Sequence, residues 1–414
     1  MDSPPEDTVF DLAIVGAGPA GGTLALACSK LGLSVALIDA RDPGATRKRD
    51  TRNFAIVRGS WNLLTFCGLT DQLASAAEPL RGLEATDGAP HWFGAPTALF
   101  TGDDLGETAP DGLLGQMVEA EDLQAAIDST LSQSPGVMHL APAVFDRLDR
   151  GDGTVHACLK GGARVAARLL VGCDGLNSPV RTAAGIGVEG RRYGKSVFAA
   201  DVALERPHLG IARQLFTPEG PFATLPLKGD RANLAWYMKE GAAEALAKLP
   251  KAAQEAELNA RFADFAGNMT IDGPVRAYPL ILQVAHAMVA ERVALVGDAA
   301  RRINPLAGQG LNLGFKDVAA LAEVAARQVR AGLDPGSALA LEDYQRWRRL
   351  DGNGTALGMD LIDRVFSNDN MALKPLRGIA LAIAERTGPI RTALAQQASA
   401  AQGYLPDLMK DPAD

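Results

Sequence analysis

Short apolar runs recur along the chain at Asp11–Val15, Ser34–Ile38, Leu169–Val171 and Val293–Val296, each fit for a strand buried on both faces. The first is followed by a helical pattern over Thr23–Leu31. The last is followed by a Gly-rich loop and an Ala-, Leu- and Val-rich helix over Leu311–Arg330. Strands that alternate with helices predict an α/β fold with a parallel sheet. The middle of the chain reads differently. Ser196–Leu204, Phe222–Leu227 and Ala232–Met238 are strand-like, and the last two flank a Lys228-Gly-Asp-Arg231 turn, the signature of a hairpin. With the helical stretch Ala242–Phe265 they predict a mainly antiparallel sheet. Its aromatic residues Tyr193, Phe216, Phe222, Trp236 and Tyr237 are candidates for a pocket or, for most of them, core.

The turns between these elements carry the chemistry. Gly16-Ala-Gly18-Pro-Ala-Gly21 links the first strand to its helix, and Asp39 ends the second strand. This strand–GxGxxG–helix–strand–acid arrangement is that of a dinucleotide site. Gly16 permits the tight turn, Gly18 lets backbone approach a pyrophosphate, Gly21 lets helix and strand close, and Asp39 can accept from a ribose. The late strand ends in Gly297-Asp298, and a loop through Gly308, Gln309 and Gly310 leads into the helix, whose first free amides lie near Gly310, Leu311 and Asn312. The free amides and partial positive charge of a helix start suit an atom that becomes anionic during a reaction. The N1/O2 edge of a reduced flavin is such an atom. Two contact regions so far apart in sequence favour the longer cofactor, FAD, over NAD.

A third segment, Arg168-Leu-Leu-Val-Gly-Cys-Asp-Gly-Leu-Asn-Ser-Pro-Val-Arg181, places Asp174-Gly175 after a strand and Ser178-Pro179 at a helix start. Together the three segments resemble the single-component FAD-dependent aromatic hydroxylases, on Gly16, Gly18, Gly21, Asp174, Gly175, Ser178, Arg181, Gly297 and Asp298. The run Pro305–Gly314, together with Asp50–Ile56 and Gly220–Leu227, is similar to the branch that hydroxylates ubiquinone precursors. The chain departs from that branch at Arg301 and Asn304, where His is usual, and at Glu121 and Asp122, where a basic residue is common.

The resemblance implies a Rossmann-like FAD-binding domain interleaved with a mainly antiparallel substrate domain and a C-terminal helical tail. The implied segments are 1–79, 116–190 and 276–365 for FAD, 80–115 and 191–275 for substrate, and 366–414 for the tail. It implies that Asp39 binds the adenosine ribose and that Arg52 lies near the flavin or pyrophosphate, as the one tentative catalytic residue. Gln116 would fall in an FAD-contacting segment. Asp298 would accept from ribitol hydroxyls, and Leu311 and Asn312 would offer backbone amides to the flavin. Asp174 and Arg181 are associated with pyrophosphate and pyridine nucleotide. The implied reaction is hydride transfer from NADH or NADPH, or electrons from a partner protein, then oxygen activation as a flavin C4a-hydroperoxide and hydroxylation of a prenylated phenol. Another aromatic or isoprenoid substrate, and a catalytically weak scaffold subunit that keeps FAD, are the alternatives.

Composition narrows the partners. The net charge is −8 with dispersed basic residues, which argues against nucleic acid. Cys28, Cys67, Cys158 and Cys173 are far apart and the five histidines are scattered, so no disulfide or metal site is expected, in keeping with the cytosol. No signal peptide or membrane span is read from the sequence. An apolar stripe within Pro375–Gln397 suits packing on the protein itself, a membrane surface or a partner in a biosynthetic complex. The oligomeric state is not legible.

Overall fold

The computed structural model describes residues 8–42, 50–88, 97–109, 111–302, 309–349 and 405–411. Its first sheet holds five parallel strands in the order Val293–Leu295, Arg164–Gly172, Val9–Val15, Val35–Ile38, Val137–Leu140. All four apolar runs of the sequence are here. Helix Pro19–Lys30 begins earlier than the apolar pattern suggests, because Gly18 is its extended N-cap and Pro19 occupies the first turn. It packs against helix Gln309–Arg330, and both sit on the core formed by the strands.

The second sheet is mainly antiparallel. Its longest strand, Val188–Leu204, pairs on one edge with Arg231–Lys239 and on the other with Arg276–Ala285. Gly220–Leu227, Ile211–Thr217, Gly82–Asp87 and Thr97–Thr101 extend it. The sheet therefore runs past residue 275, the bound expected for the substrate segment, because Arg276–Ala285 pairs along Val188–Leu204.

Strand alternation sorts the aromatic residues. Phe198, Phe222 and Trp236 point to the face covered by helices Ala242–Ala247 and Lys251–Ala266. There the Phe222 and Phe262 rings stack with centroids 3.8 Å apart, and Trp236 meets Phe262 edge-on at 5.0 Å. Tyr193, Val197, Tyr237, Tyr278 and Leu280 share the opposite face. Phe222 and Trp236 are thus core beneath these helices, and Tyr237, 4% exposed, is core of a smaller cluster on the opposite face.

A small sheet, Asn53–Val57 with Gly115–Glu119 and Glu78–Leu80, joins the two large ones. Ile56 and Val118 enter the main core, whereas Ala55 and Met117 meet Leu225 and Leu227 of the antiparallel sheet. Asp201 fastens the same junction by accepting from Asn53 Nδ2 at 2.9 Å and Asn233 Nδ2 at 2.8 Å. The stripe within 375–397 lies outside the described residues. Near the chain end, Met409 is buried, Leu408 N–H donates to Glu323 at 2.8 Å, and Arg58 pairs with Asp411 at 2.9 Å.

Phe222→Ala is expected to lower unfolding free energy by about 3–5 kcal/mol, through lost burial and the cavity left beneath Phe262. Urea denaturation checks this; a loss below about 1 kcal/mol would contradict the stacked core described above.

Candidate active site

Val15, Gly172 and Leu295 stand side by side in the parallel sheet. The turns that follow them therefore start at one level. Backbone bonds lock this arrangement: Cys173 N–H donates to Val15 O at 2.9 Å, and Val296 N–H to Gly172 O at 3.0 Å. The three sequence-distant motifs meet here, at the carboxyl ends of the strands, where open α/β sheets bind ligands.

Close approach explains the glycines. A Cβ on Gly16, whose φ is +101°, would fall 2.6 Å from the Cys173 carbonyl oxygen; one on Gly21 would fall 1.8 Å from Gly16 O. Gly18 has nothing within 4 Å of its Cβ position, so the helix start it caps opens to unfilled space. Asp39 is buried beside this loop. It accepts the Ala17 N–H at 2.6 Å and the Arg41 N–H at 2.7 Å, and pairs with Arg41 Nη2 at 3.0 Å. Burial pushes its carboxyl up, but Arg41 and these N–H groups outweigh it and hold the group below the usual carboxylate range. Arg41 and Gln124 both donate to Ala17 O at 2.9 Å. Neither had been singled out in the sequence; Arg41 lay two residues from the motif acid, whereas Gln124 belongs to no local motif.

Asp174 lies against the first loop, with its Cα 3.1 Å from the Cβ position of Gly16. One carboxyl oxygen accepts Val180 N–H at 2.9 Å; the other is buried with no hydrogen-bond partner among the described residues. Desolvation raises its pKa. The Arg181 guanidinium donates to Ala299 O and Leu176 O, both at 2.9 Å, and braces the late motif against the middle one.

Asp298 follows Gly297, whose φ is +63° and whose Cα lies 3.3 Å from the Cβ position of Gly314. The Asp298 side chain is exposed, yet the surrounding protein raises its pKa against the attraction of Arg302 and Arg52. Arg52 is paired with Asp50 at 2.7 Å and lies over the Phe54 ring, 5.6 Å from its centroid. Burial raises the pKa of the Tyr278 phenol on the antiparallel sheet, and Arg276, Arg302 and Arg52 offset part of that rise. Arg52 thus lies within electrostatic reach of both Asp298 and Tyr278.

Gln116 pairs with Ile56 and shares the side of its strand that Val118 turns to the main core. Gln309 opens the late helix and the Cβ position of Gly310 is free of neighbours; Gly308 and Asn304 lie outside the described residues. Asn312 has a role absent from the sequence reading. Its side chain accepts Val57 N–H at 3.1 Å and donates to Ala55 O at 2.6 Å, which ties the helix start to strand Asn53–Val57. Arg301 is nearly buried and paired with Asp317. Glu121 and Asp122 lie in the first turn of helix Ala120–Ser132, where acids are favourable. Among the described residues no group of three His, Cys, Asp or Glu could hold a metal.

The raised pKa of Asp298 has a thermodynamic consequence. Folded and unfolded chains both keep the proton below about pH 4, the usual unfolded carboxyl value. Above it the unfolded chain releases the proton first, so stability is lost as pH rises through the folded value. Asp298→Asn should therefore raise the apoprotein Tm at pH 7, with the gain fading towards pH 4. An unchanged or lower Tm at pH 7 would contradict this.

The model of the family "FAD binding domain" matches residues 9–350. Ubiquinone hydroxylase UbiL of Rhodospirillum rubrum is 40% identical over 387 residues, 93% of this chain and 88% of the relative. The 3-demethoxyubiquinol 3-hydroxylase of Escherichia coli is 37% identical, over 92% and 96% of the two chains. The crystal structure of p-nitrophenol 4-monooxygenase PnpA from Pseudomonas putida shares the fold, with TM-score 0.75 at 19% identity, covering 94% of this chain and 98% of that one. The glycine cradles and the exposed Asp298 are what an extended dinucleotide requires. The chain belongs to the FAD-binding family of flavin-dependent aromatic hydroxylases, in the branch of the ubiquinone hydroxylases.

Proposed function

We propose that the protein hydroxylates the aromatic ring of a polyprenylated quinone precursor in ubiquinone biosynthesis, with O2 and with NADH or NADPH as reductant. The observation that carries this reading is the meeting of the Gly16–Gly21 loop, the Asp174 turn and the Asp298 turn at one level. FAD held by these turns would supply the redox chemistry, as acceptor of hydride from the donor and as the group that activates oxygen.

The residues divide the remaining work. Gly16, Gly18 and Gly21 admit the pyrophosphate to the start of helix Pro19–Lys30, and Asp39 holds the ribose through whatever acceptor capacity Arg41 and Ala17 leave it. Asp174 backs the loop. Asp298 would accept from the ribitol hydroxyls with Arg52 within electrostatic reach, and Gln116 would contact FAD from strand Gly115–Glu119. The first amides of helix Gln309–Arg330, at Gly310, Leu311 and Asn312, stabilise negative charge on the ring edge, a preorganised contribution of the oxyanion-hole kind. Tyr278, partly buried against the Val197, Tyr237 and Leu280 cluster, is the aromatic residue we assign to the substrate ring. The sequence contains one complete GxGxxG, so the donor visits the flavin without a domain of its own.

Among the described residues no helix is long and apolar enough to cross a membrane. We assign any membrane contact to the stripe within 375–397. Flotation with lipid vesicles should distinguish the full chain from one lacking residues 371–403, a deletion that keeps the docked segment at 405–411. Equal flotation of the two would remove the membrane assignment.

The purified protein should be yellow, bleach anaerobically with NADH or NADPH, and recover its colour in air. A deletion strain should accumulate a quinone intermediate lacking one ring hydroxyl. An unchanged quinone pool would overturn the pathway, and bound flavin that no donor or electron-transfer protein reduces would favour a scaffold.

A further inference from the structure

Asp298 makes no hydrogen bond through its carboxyl among the described residues, although it occupies the turn on which the flavin reading depends. Its aim must therefore come from the backbone that carries it. That backbone is held by one fully buried carboxylate, Asp317, on helix Gln309–Arg330. Asp317 Oδ2 accepts the Gly297 N–H at 3.1 Å, immediately before Asp298. Asp317 Oδ1 pairs with the Arg301 guanidinium, just beyond the turn. The same oxygen takes Arg348 Nε at 2.6 Å, from helical residues 338–349. The Arg301 and Arg348 side chains are 9% and 0% exposed.

The turn is also supported from its other sides. Arg181 donates to Ala299 O at 2.9 Å. Gly314, one helical turn before Asp317, leaves bare backbone on which Gly297 rests. Tyr344 OH, on the same helical stretch as Arg348, donates to Leu295 O at 2.9 Å and steadies the strand that feeds the turn. A buried ion cluster is a poor source of net stability, since apolar residues of similar volume often do as well. Its value here is geometric, because one carboxylate fixes both ends of the segment Gly297–Arg301.

We infer that Asp317 is a positioning residue for FAD binding, acting through the Gly297–Arg301 turn to aim Asp298 at the cofactor. This rests on the assignment of Asp298 to the flavin site. It also accounts for Arg at position 301: the side chain is the second tie of the turn, and a shorter residue there would have to reach Asp317 differently.

The test is a double-mutant cycle read as FAD affinity, by titrating FAD into apoprotein and following quenching of flavin fluorescence. Asp317→Asn keeps an acceptor for Gly297 N–H and removes the charge. It should weaken FAD about 10-fold or more in the wild-type background and less than about 3-fold in the Asp298→Asn background, since residues that act through one another are not additive. If Asp317→Asn does not fold, Arg301→Gln replaces it in the same cycle with the same expectation, because it cuts only the far tie. Equal losses in both backgrounds, or no loss in either, would overturn the positioning role. A different result, in which Asp298→Asn alone leaves FAD affinity unchanged, would overturn the assignment of Asp298 to the cofactor and this inference with it.

Discussion

The account depends on strand register. Val15, Gly172 and Leu295 are aligned across three parallel strands, and a shift of any one by a residue would move its turn by about 3.3 Å and reverse its side chains. Register is secured where the strands end, by the Cys173-to-Val15 and Val296-to-Gly172 hydrogen bonds. With the turns at one level, glycines that would be a liability elsewhere become the means of close contact. The Gly16 loop lies against Cys173, and the Gly297 turn lies against Gly314.

Around that fixed point the polar groups work by restraint more than by reactivity. Asp39, Asp174, Arg181, Asn312 and Asp317 each bind backbone of a neighbouring segment. Beside them Arg52 and Arg302 both lie within electrostatic reach of Asp298 and of Tyr278. Such a division fits an enzyme whose cofactor performs the chemistry and whose protein supplies orientation and a preorganised electrostatic setting.

Much of this was legible in the sequence because local rules govern it. Buried parallel strands read as apolar runs, and the glycine loop needs residues without Cβ at fixed offsets. What stayed hidden depends on partners far along the chain. Asn312 reads as a helix-start residue, yet its amide serves strand Asn53–Val57 some 255 residues earlier. Asp317 reads as an ordinary helix acid, yet Arg301 and Arg348 enclose it. Alternation along Arg231–Lys239 separates Trp236 from Tyr237, but only the packing shows which face the helices cover. The strand Arg276–Ala285 lies in the segment 276–365 that the resemblance gave to FAD, yet it pairs with Val188–Leu204 of the antiparallel sheet, a partner some 80 residues earlier that no local pattern reveals.

The central claim, that three turns grip one flavin along its length, is tested most directly by hydrogen–deuterium exchange of the apoprotein against the FAD-loaded protein. The account predicts protection that appears together at residues 16–22, 173–176, 297–300 and 310–313 and saturates at one FAD per chain. Protection confined to the first of these segments, with the late turn and helix start exchanging as in the apoprotein, would contradict it.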